Sequence, residues 1–206
     1  QRKQIAINVT TEQTYYWQVQ TIDSGLKSSE WSAVQTYEPS DCLVPAGDWL
    51  VNATCTKSNQ VIYVNGSINI TGSLKLINTT LIINAVSKNI YVQGGTLNIS
   101  NSIINASGTN YYNLDVNGSS TFDMDNSTIE KAFTVNIRNS DIELTNNVIS
   151  NQDYGINLSG TNISIIDSTI SGSTIDIANN GSNNNLTNVT FSTKSVSSGS
   201  LYVNYY

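Results

Sequence analysis

The sequence predicts an all-β chain of short stacked coils, and three features carry that expectation. One pattern recurs: LKLINTTLI (74–82), LNISNSIIN (97–105), FDMDNSTIE (122–130), IELTNNVIS (142–150), ISIIDSTIS (163–171) and a weaker NNLTNVTFS (184–192). The residues four and two places before its central Asn or Asp are apolar, an alternation of period 2 that reads as a half-buried strand. The anchors Asn78, Asn101, Asn126, Asn146, Asp167 and Asn188 are separated by 23, 25, 20, 21 and 21 residues. Such a period marks repeats that must stack, because none can bury its apolar face alone.

The inward pairs of this strand are Leu74/Leu76, Leu97/Ile99, Phe122/Met124, Ile142/Leu144 and Ile163/Ile165. About ten residues before each anchor lies a second strand, with pairs Ile68/Ile70, Ile90/Val92, Leu114/Val116, Val135/Ile137, Ile156/Leu158 and Ile175/Ile177. Two or three strands per coil, joined by Gly, Ser and Asn turns, describe a parallel β-helix of about six to seven short coils. From Asn59 to Tyr206 the chain resembles the right-handed, pectate-lyase-like β-helix family. That resemblance implies an internal asparagine ladder at one coil corner, each amide bonding the backbone and the Asn above. Asn as a mere turn-former is the alternative.

Composition narrows the function. Charged residues make up 12% of the 206 and the net charge is -6, so no basic stripe points to nucleic acid. No apolar run is long enough to span a bilayer. The chain opens on Gln1 with no signal-like segment, which predicts a mature form or an excised fragment.

Residues 1–40 carry no coil register. Tyr15 to Thr21 (YYWQVQT) alternates cleanly, and Ser29-Glu30-Trp31-Ser32 leads into a second alternating run. This resembles the C-terminal half of a fibronectin type III module, which would make Tyr15 the corner tyrosine and put Trp17, Val19 and Trp31 in a core. Half a sandwich exposes an apolar face and an open edge. Its missing strands were removed, or come from another chain, or the hairpin packs on the end of the β-helix.

Residues 41–58 read as a cap or linker that holds the only two cysteines, Cys42 and Cys55. Paired, they staple the end of residues 59–206, the expected β-helix, and imply an oxidising, extracellular location; free thiols are the alternative. Without His and with only two cysteines, a zinc site is not expected.

Fourteen Asn-x-Ser/Thr sequons stand where 29 asparagines and 50 Ser plus Thr in 206 residues predict about 7 by chance. Asn69, Asn98, Asn157, Asn162 and Asn185 fall on the polar phase of strands, Asn65, Asn105, Asn117 and Asn180 in turns, and Asn8 and Asn52 outside the repeats. All are expected to accept glycans. Asn78, Asn126 and Asn188 are ranked last, because an anchor amide facing the interior cannot also hold a sugar.

Catalysis is not expected, and no cofactor or metal is implied. The best acidic constellation is Asp123, Asp125, Asp141 and Glu143, all outward on two neighbouring coils, with Asp123 beside Glu143. It reads as a solvated patch, and otherwise as a weak Ca2+ site or an acid/base pair. Arg138, alone of its kind in the repeats, sits on another strand. Tyr111-Tyr112 and Tyr205-Tyr206 give a sugar-binding reading only a weak signal.

The expected role is therefore an extracellular, heavily N-glycosylated structural protein of a cell surface. It would be a subunit of a filament, stalk or surface layer joined head-to-tail through strand pairing. The alternatives are a polysaccharide-active or sugar-binding β-helix, or a fragment of a longer adhesin. In its sparse charge and heavy Asn, Ser, Thr, Ile and Tyr use, the chain resembles surface proteins of acidophilic or thermophilic archaea.

Overall fold

A computed structural model describes residues 15–37, 42–139, 141–151, 153–172 and 174–205. The chain divides into two compact units, Gln1–Leu43 and Val44–Tyr206. Among the described residues there is no helix.

The second unit is a parallel β-solenoid of about seven turns. Each turn visits three sheets in a fixed order. Sheet 1 begins with Trp49–Val51, sheet 2 with Thr54–Ser58 and sheet 3 with Val61–Val64. The sheets hold eight, eight and six strands, and every strand pairs with the equivalent strand one turn away. Leu74, Leu97 and Phe122 stand in line on sheet 2, as do Ile68, Ile90 and Leu114 on sheet 1; on sheet 1 the register shifts once, beside Tyr112. The inward pairs deduced from the repeat are buried from Ile68 through Ile165. A third inward column, Ile62, Leu81, Ile104, Ile129, Ile149 and Ile170, closes the core from sheet 3. Burying each such side chain stabilises the fold by about 1.5–3 kcal/mol, and in-register stacking lets every turn use its neighbours for that burial.

The solenoid starts earlier than the apolar pattern indicates. The segment 41–58 is not a separate cap, since Trp49–Val51 and Thr54–Ser58 already pair as strands of sheets 1 and 2. The first turn escapes the pattern because Cys55 and Lys57 replace the usual apolar pair. Lys57 aligns with the inward Leu76, and its ammonium lies 5.9 Å from the centre of the Trp49 ring. Burial pulls its pKa below the usual lysine value. Near the last turns, Ile156/Leu158 align with Ile177/Asn179 rather than with Ile175/Ile177. Asn179 is fully buried there and accepts a 2.7 Å hydrogen bond from Asn184 Nδ2.

The turn from sheet 2 to sheet 3 is the repeat's anchor, and its geometry corrects the internal asparagine ladder. Asn59, Asn78, Asn101, Asn126, Asn146, Asp167 and Asn188 all have φ between 46° and 57°. Asn and Asp tolerate this left-handed conformation better than other residues with a side chain. All seven are exposed. The left-handed residue reverses the alternation, so the next residue points inward instead: Thr79, Ser102, Ser127, Asn147 and Ser168 are buried. These form the inner ladder. Ser102 Oγ accepts from Thr79 N, Ser127 Oγ from Ser102 N, Asn147 Oδ1 from Ser127 N and Ser168 Oγ from Asn147 N, each at 3.0 Å. The outer residues bond only in pairs, with Nδ2 of Asn78, Asn126 and Asn188 donating to Asn59, Asn101 and Asp167 at 2.8, 2.5 and 2.7 Å.

The turn from sheet 1 to sheet 2 packs backbone on backbone. A Cβ on Gly160, Gly181 or Gly199 would lie 1.5, 1.8 or 1.9 Å from the carbonyl oxygen one turn before. Only glycine permits that approach.

The described part of the first unit is a hairpin. Tyr15–Trp17 pairs antiparallel with Gln35–Tyr37, Val19 and Ser32 are joined by Ser32 N donating to Val19 O at 2.8 Å, and Asp23 Oδ1 accepts from Gly25 N and Lys27 N in the turn. Trp17, Val19 and Trp31 are 50%, 56% and 60% exposed, so the expected fibronectin-like core is absent among the described residues. Among the described residues of this unit, two strands have no second sheet to bury them. The Tyr15 side chain lies outside the described residues.

Candidate functional site

The sequon asparagines separate into three environments. Asn52, Asn65, Asn117 and Asn180 are exposed, all in turns between strands. Among the described residues none of their Nδ2 atoms donates a hydrogen bond; Asn65 Oδ1 accepts from Asn84 Nδ2 and Asn117 Oδ1 from Gly118 N. Asn78, Asn126, Asn162 and Asn188 are exposed at left-handed positions, with Nδ2 engaged; that of Asn162 donates to Asp141 Oδ1 at 2.9 Å. Asn69, Asn98, Asn105, Asn157 and Asn185 are half-buried. Asn8 lies outside the described residues.

The half-buried group shows why an outward strand position is a poor perch for a sugar. Side chains one turn above and below stand roughly 4.8 Å away on the same face, and polar ones join into columns. Asn98 Nδ2 donates to Asp123 Oδ2 at 2.7 Å, Asn105 Nδ2 to Glu130 Oε2 at 2.7 Å and Asn157 Nδ2 to Asn136 Oδ1 at 3.1 Å. The amide oxygens of Asn69 and Asn157 are buried without a hydrogen-bond partner. The anchor sequons Asn78, Asn126 and Asn188 point to solvent, so the reason for ranking them last does not hold. Sequence alternation identified outward residues but not how tightly their columns pack.

Asp123, Asp125, Asp141 and Glu143 are all exposed. The pairing of Met124 with Leu144 brings Asp123 and Glu143 to adjacent strands. Asp123 is held by Asn98 and Asp141 by Asn162, and among the described residues no three acidic, Cys or His groups gather closely enough to hold a metal. A shallow hollow of 280 Å³ lies over Lys75, Asn98, Asp123 and Asp125, where Asn98 and Asp123 bond each other. Arg138 pairs with Asp115 at 3.2 Å, away from the acidic four. Tyr112 is fully buried and donates to Ile104 O at 3.1 Å; burial, then the Glu130 charge, raise its pKa well above the usual tyrosine value. Tyr111 packs against Phe133 with ring centres 5.7 Å apart. Tyr111 and Tyr112 thus both pack against the solenoid, whereas Tyr205 is exposed and Tyr206 lies outside the described residues.

Cys42 and Cys55, the only two cysteines, are disulfide-bonded. Among the described residues no helix is long and apolar enough to cross a membrane. No family model, curated protein or solved structure matches the chain.

Proposed function

We propose that the chain is an extracellular, N-glycosylated structural protein of a cell surface. The observation that carries this reading is the set of four turn sequons, Asn52, Asn65, Asn117 and Asn180, exposed with undonated amides. An oligosaccharide on such a nitrogen costs neither core packing nor a hydrogen bond. The disulfide supports an oxidising location. A shaft of seven turns is roughly 34 Å long at about 4.8 Å per turn, a narrow spacer with columns of side chains.

The reading includes end-to-end joining. The last sheet 2 strand, Leu201–Asn204, pairs on one edge only among the described residues. At the opposite end the inward Lys57 guards the first strand of sheet 2, because an inward charge discourages strand addition. The exposed strands of the N-terminal hairpin are the better donors to a neighbour's free edge.

Glycopeptide mapping of the native protein tests the function. Occupancy is expected to be highest at Asn52, Asn65, Asn117 and Asn180, lower at Asn78, Asn126, Asn162 and Asn188, and lowest at the five half-buried sites. Bare asparagine at all four turn sites would overturn the reading. Electron microscopy of unreduced native material tests the joining: fibres are expected, and dispersed rods would remove it.

A further inference from the structure

Sheet 3 turns an unusually uniform face to solvent. Its first outward column runs Val61, Thr80, Ile103, Thr128, Val148 and Thr169, one residue per turn, and Thr190 extends it through a bridge to Thr169. Val61, Ile103 and Val148 are 55%, 39% and 43% exposed. The second column runs Tyr63, Ile82, Asn105, Glu130, Ser150 and Ser171. Of these twelve residues only Glu130 is charged, and only Asn105 is a sequon residue. Strand propensity favours Val, Ile and Thr on such a face but does not set their order.

The order is self-complementary. A two-fold axis in the plane of the face and parallel to the strands sets each column against itself with turns reversed, the first opposite the sixth. Val61 then meets Thr169, Thr80 meets Val148, and Ile103 meets Thr128, so every bulky residue faces a smaller one. In the second column Tyr63 meets Ser171, Ile82 meets Ser150, and Asn105 meets Glu130, an amide opposite a carboxylate. Isologous contacts require this kind of self-matching, and interdigitated sheet faces pack on it.

We propose that the outer face of sheet 3 pairs with the same face of a second copy, solenoids antiparallel. This lateral contact is independent of the glycan and end-to-end readings. Six turns by four residues cover on the order of 400 Å² per partner at about 4.8 Å and 3.3 Å per step. That is half of the roughly 800 Å² of a standard interface, so the pairing is weak and reversible in solution, and an Asn105 glycan blocks it.

Sedimentation of unglycosylated protein over a concentration series tests the pairing. A reversible dimer is expected. Ile103→Thr, which leaves Thr facing Thr twice, should raise the dissociation constant at least tenfold. Adding Thr128→Ile to Ile103→Thr restores the match and should restore the dimer; Thr145→Lys, on sheet 2, should leave it unchanged. A monomer at every concentration, or a dimer indifferent to Ile103→Thr, would overturn the proposal.

Discussion

The corner between sheets 2 and 3 offers a sharp test of the fold's logic, because two adjacent polar residues do opposite jobs there. Ser127 is 3% exposed; its Oγ accepts from Ser102 N at 3.0 Å and donates to Asp125 O at 2.7 Å. Ser127→Ala leaves a buried backbone N–H without its partner, a loss of about 1–3 kcal/mol. For a domain of this size, 2 kcal/mol lowers Tm by about 4–8 °C. Asn126 stands next to it with φ 46°, its exposed side chain bonded to Asn101. Asn126→Gly exchanges that surface bond for easier access to the left-handed region and should change stability by less than about 0.5 kcal/mol. Asn126→Val, β-branched where φ is positive, should cost about 1–2 kcal/mol. Thermal melts followed by circular dichroism would rank the three variants. If Ser127→Ala melts like wild type while Asn126→Gly loses several degrees, the amide is the interior group and the inner hydroxyl ladder is wrong.

Two further outcomes follow from the last turns. Asp176 is buried, and although burial raises its pKa, hydrogen bonds from Gly172 N, Thr193 N and Ser192 N at 2.8, 2.8 and 2.5 Å hold it below the ordinary aspartate value. A depressed folded pKa contributes stability that is present above the unfolded pKa and lost as pH falls through the folded one, here below about pH 4. Asp176→Asn should therefore lose on the order of 2 kcal/mol at pH 7 and flatten the acid limb of a stability–pH curve; an unchanged limb would discount the site. Gly181→Ala sets a Cβ 1.8 Å from Gly160 O and should cost about 3 kcal/mol or more, read as early proteolysis of the C-terminal turns. Gly47→Ala, with open space around it, is the control, and equal protease resistance of the two would contradict the stacked-carbonyl turn.

Much of the solenoid was legible because stacking imposes one rule on every turn. Leu74/Leu76 through Ile163/Ile165 follow it, and period 2 alone placed them inside. The rule fails where a turn meets an end. Cys55 and Lys57 hide the first coil, although Asn59 keeps the anchor 19 residues before Asn78, and Asn179 replaces an apolar residue near the last. In the hairpin, Tyr15 to Thr21 announced a strand, of which only Tyr15–Trp17 forms one. Burial of Trp17 and Trp31 needed a second sheet that alternation cannot supply.

The anchor shows what a polarity pattern leaves undecided. Asn and Ser are both polar, so the pair Asn126-Ser127 marks a corner without saying which residue turns inward. Backbone conformation decides it: the residue able to adopt positive φ goes outside, and its successor is carried in. The clue was present as the dipeptides Asn78-Thr79, Asn101-Ser102, Asn126-Ser127 and Asp167-Ser168, with a small hydroxyl second in four of the seven anchors, while Gln60, Asn147 and Val189 follow the other three. A hydroxyl suits that place because it accepts from one turn and donates to its own, filling one rung with little volume. The same geometry reorders the glycan sites. The turn sites Asn52, Asn65, Asn117 and Asn180 keep Nδ2 clear of their neighbours, whereas a strand position such as Asn98 ties it to the next rung. Outward in the sequence pattern and accessible to an enzyme are therefore different properties, and in a stacked fold the difference is set by the column rather than by the residue.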